Sequence, residues 1–462
     1  MSFATLSLRD LGHQLRRREI SSVELTRWTL EAANAVNPPL HAFISILPET
    51  ALESAARADR DFAAGIDRGP LQGIPYGAKD IFDVAGLPTT GHSRLGLAAL
   101  ASRDSAVVER LTTGGAVLMG KLATFEYATY GPDADLPFPH ARNPWNRERM
   151  TGGSSSGSAV AIASGVLRMA LGSDTGGSIR TPSSWVGTVG LKPTFGRVSR
   201  RGCFPLSSSL DHCGALTRSV EDAAIALQIL SGQDPLDHDS SDTPVDDYIQ
   251  DLEIPVRGLR IGIARSLLET ASDQTLANIE RVADLLRSEG AEVFDVQTPP
   301  LGLFGTVIRA LLLIEGYHLH EQDMRTRIED FGPLMARRIA LGAGYTGPDY
   351  LACLKARRLL AEDISAALCG CDVLLCATTA HTAPAYEPVP NPFDPAGPSM
   401  TNPFNVTGNP AISVPIGLSP DGLPMSVQLV GKLFDERLLL RVARAVERVS
   451  GWEQVPLPAV AA

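Results

Sequence analysis

Between Met150 and Gly202 the chain reads MTGGSSSGSAVAIASGVLRMALGSDTGGSIRTPSSWVGTVGLKPTFGRVSRRG, and this stretch constrains the fold most tightly. Its glycine and serine content would suit a linker, but apolar segments interrupt it, so it reads as ordered. Two glycine–serine turns, Gly152 to Ser158 and Asp174 to Ser178, are separated by a small-residue helix and a short strand. Glycine in such turns lets the backbone approach a ligand closely and turns its N–H groups inward. A serine beside those donors meets the needs of acyl transfer, which are a nucleophile and a site for an oxyanion.

Strands alternate with helices along the rest of the chain, which predicts an α/β layered fold. Ser21 and Glu24 form a capping pair ahead of a helical period. Strands are predicted at His41 to Leu47, through IPYGAKDIF, and at Ala116 to Gly120 just before Lys121. Ser219 and Asp222 open a helix that Gly232 stops. The acidic QDPLDHDSSDTPVDDY is an exposed connection. GLRIGIA, LANIERVADLLRSEG and AEVFDV make a β-α-β unit. A helical stretch from Leu303 to Leu368 precedes DVLLCA, two strands (Ala411 to Pro415, Met425 to Val430) and a helix starting near Asp435.

The chain has 462 residues, 44% of them hydrophobic and 20% charged, enough for a substantial core. A net charge of −11 argues against a broad basic surface for nucleic acid. The six cysteines form no CxxC pair and suit reduced thiols better than a disulfide framework. MSFATLSLRDLGHQLRRRE lacks the apolar core of a signal peptide, and no run of about eighteen apolar residues suggests a bilayer span. A cytoplasmic location is the expectation.

The paired GGSS and DTGGSxR elements, GIPYGAKD around Lys79, LKPTFGRVSRRG, SSLDHCGALTRSVEDAA and NPAISVPIG…GLPMSVQLVGKLFDERLL resemble the amidase signature family. The resemblance covers most of the chain. It implies a single domain over 1–462, a large twisted mixed β-sheet covered by helices on both sides. Its signature core spans about 70–232, a more variable helical and β-α-β region about 255–370, and 371–462 returns to the core.

By the same resemblance Ser178 is the nucleophile, and Ser154, held by a cis peptide bond, bridges it to Lys79. Lys79 must be neutral to accept a proton, and the small or apolar neighbours Gly77, Ala78, Ile81 and Phe82 would desolvate it and lower its pKa. Asp80 is expected on the opposite face of the strand. The N–H groups of Thr175, Gly176, Gly177 and Ser178 form the expected oxyanion hole, and an Asp174–Arg180 ion pair braces the turn. Thr129 and Tyr130, on a loop that lines the acyl pocket in the family, are expected at the substrate together with Ser154. Arg357 resembles an arginine that binds substrate carboxylate in some members. Neither metal nor cofactor is implied.

Two other motifs fail. GxSxG at Gly153–Gly157 would make Ser155 a hydrolase nucleophile, but RNPWNRERMT before it is no hydrophobic strand. Gly115–Lys121 nearly spells a phosphate loop, but Leu122 replaces the required hydroxyl. His318 and His320 lack partner ligands for a metal, and Phe125, Tyr127 and Trp185 read as packing. The expected activity is amide hydrolysis through a serine acyl-enzyme, extending to esters and carbamates. Alternatives are the A subunit of glutamyl-tRNA(Gln) amidotransferase, or a non-catalytic scaffold of the same fold. Against the former, Pro398 stands where that amidotransferase chain has an aspartate. The expected partner is a small-molecule amide-type substrate without nucleic acid or membrane, and homodimers are common in the family.

Overall fold

A computed structural model describes residues 3–97, 99–386 and 399–459. Its strands are β1 (Phe43–Ile46), β2 (Pro75–Lys79), β3 (Val117–Leu122), β4 (Met169–Asp174), β5 (Val189–Lys192), β6 (His212–Thr217), β7 (Arg260–Ala264), β8 (Glu292–Val296), β9 (Val373–Ala377), β10 (Ala411–Leu418) and β11 (Pro424–Val430). All eleven join one sheet in the order β1-β3-β2-β4-β6-β5-β10-β11-β9-β7-β8. β2 lies parallel between β3 and β4, and β7 lies parallel between β8 and β9. The other pairs are antiparallel, so the sheet is mixed, as the family resemblance implies. The β-α-β unit is β7, the helix Asp273–Ser288 and β8. Parallel neighbours need such a crossover, which a hairpin cannot supply.

Side chains alternate between the two faces of a strand. Met169 and Leu171 of β4 join a core cluster containing Leu8, Val107 and Val446, whereas Ala170 between them joins one containing Ala33, Ala51 and Val160. Helices therefore cover both faces of the sheet, and β4 is buried along its whole length. That double burial explains why its sequence shows no polar alternation.

The predicted caps form. Ser21 Oγ accepts from the Glu24 amide at 3.1 Å, and Glu24 accepts from the Ser21 amide at 2.8 Å, opening the helix Ser22–Leu40. Ser219 Oγ accepts from the Asp222 amide at 3.1 Å and opens Val220–Leu230. The Asp222 carboxylate instead reaches the Leu8 amide at 2.8 Å and anchors the start of another helix.

One expectation needs correcting. The helix Leu301–Thr326 is long and apolar enough to cross a membrane by length and composition, although no such run stood out in the sequence. It is the core helix of the variable region: 56% of its apolar window is buried, with Leu301, Phe304, Ile308 and Leu311 packed inside the main cluster. Pro398 lies outside the described residues.

Candidate active site

β2 and β4 are parallel neighbours, with Ala78 opposite Leu171, so their carboxyl ends emerge at the same edge. β2 ends in Lys79, and β4 runs out into the second glycine–serine turn. Lys79 is fully buried; its Nζ donates to Ser154 Oγ at 2.7 Å and to Ser173 Oγ at 2.8 Å. Burial pushes its pKa down to about 7, against a weaker opposing pull from Cys203, Asp174 and Asp211. Asp80 does face away, and its carboxylate pairs with Lys121 Nζ at 2.9 Å on β3.

The first turn is fixed by its backbone. The Gly153–Ser154 peptide is cis, and a Cβ on Gly153 would run into the Phe125 ring. The Ser155 amide donates to the Ser178 carbonyl at 3.1 Å, tying the two turns together. Ser154 and Ser178 line one cavity. Ser155, the rejected elbow serine, is buried and donates to the Ser173 carbonyl at 3.2 Å. The helix Ser156–Ala163 begins at Ser156.

The second turn is organised by Asp174. Both oxygens meet Arg180, at 2.9 Å from Nη2 and 3.0 Å from Nε, with both side chains fully buried. Burial alone would raise the Asp174 pKa, but the adjacent guanidinium holds it well below the usual carboxylate range. Asp174 also accepts from the Gly177 amide at 2.8 Å. The expected oxyanion hole is therefore corrected: the Gly177 N–H is committed to this carboxylate, and Thr175, Gly176 and Ser178 remain at the cavity wall. Gly177 sits at φ +132°, where a side chain would strike Thr401, so only glycine fits.

Ser178 stands where two cavities meet. One has a mixed lining, in which Thr175, Arg309, Arg338 and Asn402 stand beside Leu206, Ile308 and Leu312. The other is largely apolar, with Phe125, Tyr130, Met150, Trp185 and Pro384 in its wall. Thr129 borders both, turned inward by left-handed Tyr127 (φ 44°) and Ala128 (φ 62°). Phe125 and Trp185 are thus cavity walls and not only packing, while Tyr127 packs at a tilt against Phe204 and His320, ring centroids 4.5 and 4.9 Å apart.

Arg357 does not join this group. Its Nε donates to the Val406 carbonyl at 2.9 Å, and it lines neither cavity. The arginines present are Arg309 and Arg338, which no sequence motif flags, and Ser173 is equally unmarked. Arg338 lies on the helix Pro333–Ala340, and its guanidinium sits 4.5 Å from the Tyr130 ring centroid. That helix is docked by acids on the loop that carries Thr129 and Tyr130. Glu126 accepts from the Gly332 amide at 3.0 Å, and Asp133 from the Leu334 amide at 2.9 Å.

The fold and these paired turns are those of the amidase signature enzymes. The chain belongs to the Amidase family, whose model matches residues 24–440. It is accordingly an enzyme that hydrolyses carbon–nitrogen bonds other than peptide bonds. It is 38% identical to the A subunit of the glutamyl-tRNA(Gln) amidotransferase of Geobacter metallireducens, over 98% of this chain and 99% of that protein. A chain from a vestigial protein complex, solved for its bearing on the evolutionary origins of an s-triazine catabolic enzyme, superposes with a TM-score of 0.90 and 32% identity over 96% of this chain and 98% of its own. The peptide amidase of Stenotrophomonas maltophilia superposes with a TM-score of 0.86 and 31% identity over 99% of both chains.

The relatives correct the partner expectation. A substrate-only enzyme without nucleic acid does not match a relative named as one component of an amidotransferase acting on glutamyl-tRNA(Gln).

Proposed function

We propose that the chain hydrolyses an amide through an acyl-enzyme on Ser178, and that it does so as the amide-cleaving component of an amidotransferase, releasing ammonia from glutamine in a tRNA-linked assembly. The observation that carries the chemistry is the Lys79 amine, buried and, among the described residues, hydrogen-bonded only to hydroxyls, 2.7 Å from Ser154. With a pKa of about 7, it has a substantial neutral fraction at neutral pH and a lone pair for a proton.

Ser178 Oγ attacks the carbonyl carbon; its proton passes to Ser154 Oγ, whose own proton passes to Lys79. The tetrahedral oxyanion accepts hydrogen bonds from the amides of Thr175, Gly176 and Ser178. When the carbon–nitrogen bond breaks, the proton returns through Ser154 to the departing amine. Water then attacks the ester along the same relay and frees the acid. The assembly context rests on the amidotransferase relatives.

Fluorophosphonate should label wild type at Ser178, and Ser178→Ala should abolish labelling and lower amide turnover by about 10⁴-fold or more. Labelling at Ser155, or turnover that survives Ser178→Ala, would overturn the assignment. Absence of labelling in folded wild type would favour a scaffold. For the assembly, glutamine hydrolysis should rise on adding companion amidotransferase subunits; a rate indifferent to them would remove that context.

A further inference from the structure

We infer that Thr401 and Asn402 are positioning residues for the proposed reaction: they grip the Gly176 carbonyl from behind the Ser178 turn and keep it out of the space where the oxyanion forms. This deepens the proposed function and rests on Ser178 being the acylated residue.

The amides assigned to the oxyanion belong to Thr175, Gly176 and Ser178, and the Gly176 carbonyl lies among them in the chain. A carbonyl oxygen beside a forming oxyanion repels it, and a Gly–Gly peptide has the backbone freedom to swing its oxygen inward. The fold closes that route. Thr401 Oγ1 donates to the Gly176 oxygen at 2.7 Å and Asn402 Nδ2 donates to it at 2.9 Å, so both lone pairs are taken. The other side of the same peptide is held by Asp174, which accepts from the Gly177 N–H at 2.8 Å. Turning that peptide over would break all three bonds.

The grip is itself braced. Thr401 is fully buried, and its carbonyl accepts from Arg180 Nη1 at 3.0 Å. Its hydroxyl has one proton, which goes to Gly176, so the Ser399 hydroxyl 2.7 Å away is the donor of that second bond. Thr401 therefore acts through the peptide and not on the substrate. Asn402 is oriented by both its neighbours: Oδ1 accepts from the Ser399 amide at 3.1 Å while Nδ2 faces the carbonyl. The approach is close enough that a Cβ on Gly176 would lie 3.3 Å from Asn402 Nδ2. Asn402 shares one cavity wall with Thr175, Gly176 and Ser178, so the grip lies where the charge would develop. It arrives from 225 positions further along the chain.

The rate of fluorophosphonate labelling tests this, because the phosphoryl oxygen takes the place of the oxyanion as Ser178 Oγ bonds to phosphorus and fluoride leaves. Thr401→Val and Asn402→Leu, each close in shape to the original, should slow labelling about threefold apiece, since the remaining donor still holds the carbonyl. The double variant should slow it about 10²-fold, more than the product of the two. Thr401→Ser keeps the hydroxyl and should recover the rate that Thr401→Val loses. The pH midpoint of labelling should stay at about 7, because the contacts of Lys79 with Ser154 and Ser173 are untouched. A midpoint that moves in the variants would mean a general loosening of the site and would overturn the inference. So would a double variant that labels as fast as wild type, or a Thr401→Ser as slow as Thr401→Val. If the double variant does not fold, the comparison of Thr401→Val with Thr401→Ser decides alone. No labelling of folded wild type would remove Ser178 as nucleophile and this inference with it, whereas labelling that ignores the variants removes this inference only.

Discussion

Lys79 and Lys121 sit on paired strands, with Ala78 opposite Lys121 and Lys79 opposite Leu122, and both side chains are buried. Their partners differ. Lys121 meets the Asp80 carboxylate at 2.9 Å and the Phe82 carbonyl at 2.7 Å, an ion pair that ties β3 to the end of β2. Lys79, one residue from Asp80 in sequence, meets the hydroxyls of Ser154 and Ser173 instead. A hydroxyl can accept from an amine or donate to it, whereas a carboxylate only accepts. The pair shows how one sheet region makes a structural lysine and a candidate base from the same residue type: strand alternation sends the intervening acid to one of them.

The sharpest way to break this contrast is Lys79→Met, which should lower kcat/KM for amides by about 10³–10⁴-fold with the fold intact. Esters should lose less, because an alkoxide leaves with less help from a proton. Equal losses on both would remove Lys79 from the relay. Lys121→Met should instead act on stability, lowering it by about 3–5 kcal/mol in urea titration, because Asp80 is left buried and unpaired. Loss of activity from the folded Lys121→Met enzyme as deep as that of Lys79→Met would dissolve the distinction.

A smaller effect concerns pH. Only the neutral amine accepts a proton, so kcat/KM should fall about tenfold per unit below about pH 7, where Lys79 becomes protonated. The same displacement should appear in stability. The folded value lies below the ordinary 10.5, so unfolding takes up a proton between the two values. Wild type should therefore gain on Lys79→Met as pH rises from 7 towards 10.5, by at most about 1.4 kcal/mol per unit. A flat difference would contradict the burial of the charge. Smallest of all, Ser173→Ala should cost about three- to tenfold in kcat/KM, the worth of one hydrogen bond to the amine. No change would leave Ser154 as the sole functional contact.

The grouping of Lys79, Ser154 and Ser178 was expected from the family resemblance, and only the alternation that turns Asp80 away was legible in the local sequence. What escaped was set by distant contacts. Arg338 reaches the cavity because Glu126 captures the amide of Gly332, a residue 206 positions away, which no window of sequence reveals. Arg357 lies on a predicted helical stretch, but its guanidinium turns to Val406. Which of four turn amides stays free depended on how the Asp174 side chain folds back onto Gly177. Ser173 was in plain view before Asp174, yet a hydroxyl inside a buried strand reads as packing. Both final strands could be read from their patterns; their central position in the sheet could not.

That central position bears on how the protein is made. β10 and β11 lie between β5 and β9, yet of all the strands they leave the ribosome last. Until they arrive, the nascent chain carries two half-sheets with facing open edges, the kind of surface that invites mispairing with other chains. The Ser178 turn waits too, because Arg180 donates to Gln428 on β11 at 2.7 Å and to Asn405 at 2.6 Å. Assembly cannot proceed vectorially from the amino terminus, and a premature stop ahead of β10 would leave the Ser178 loop unbraced beside a sticky seam.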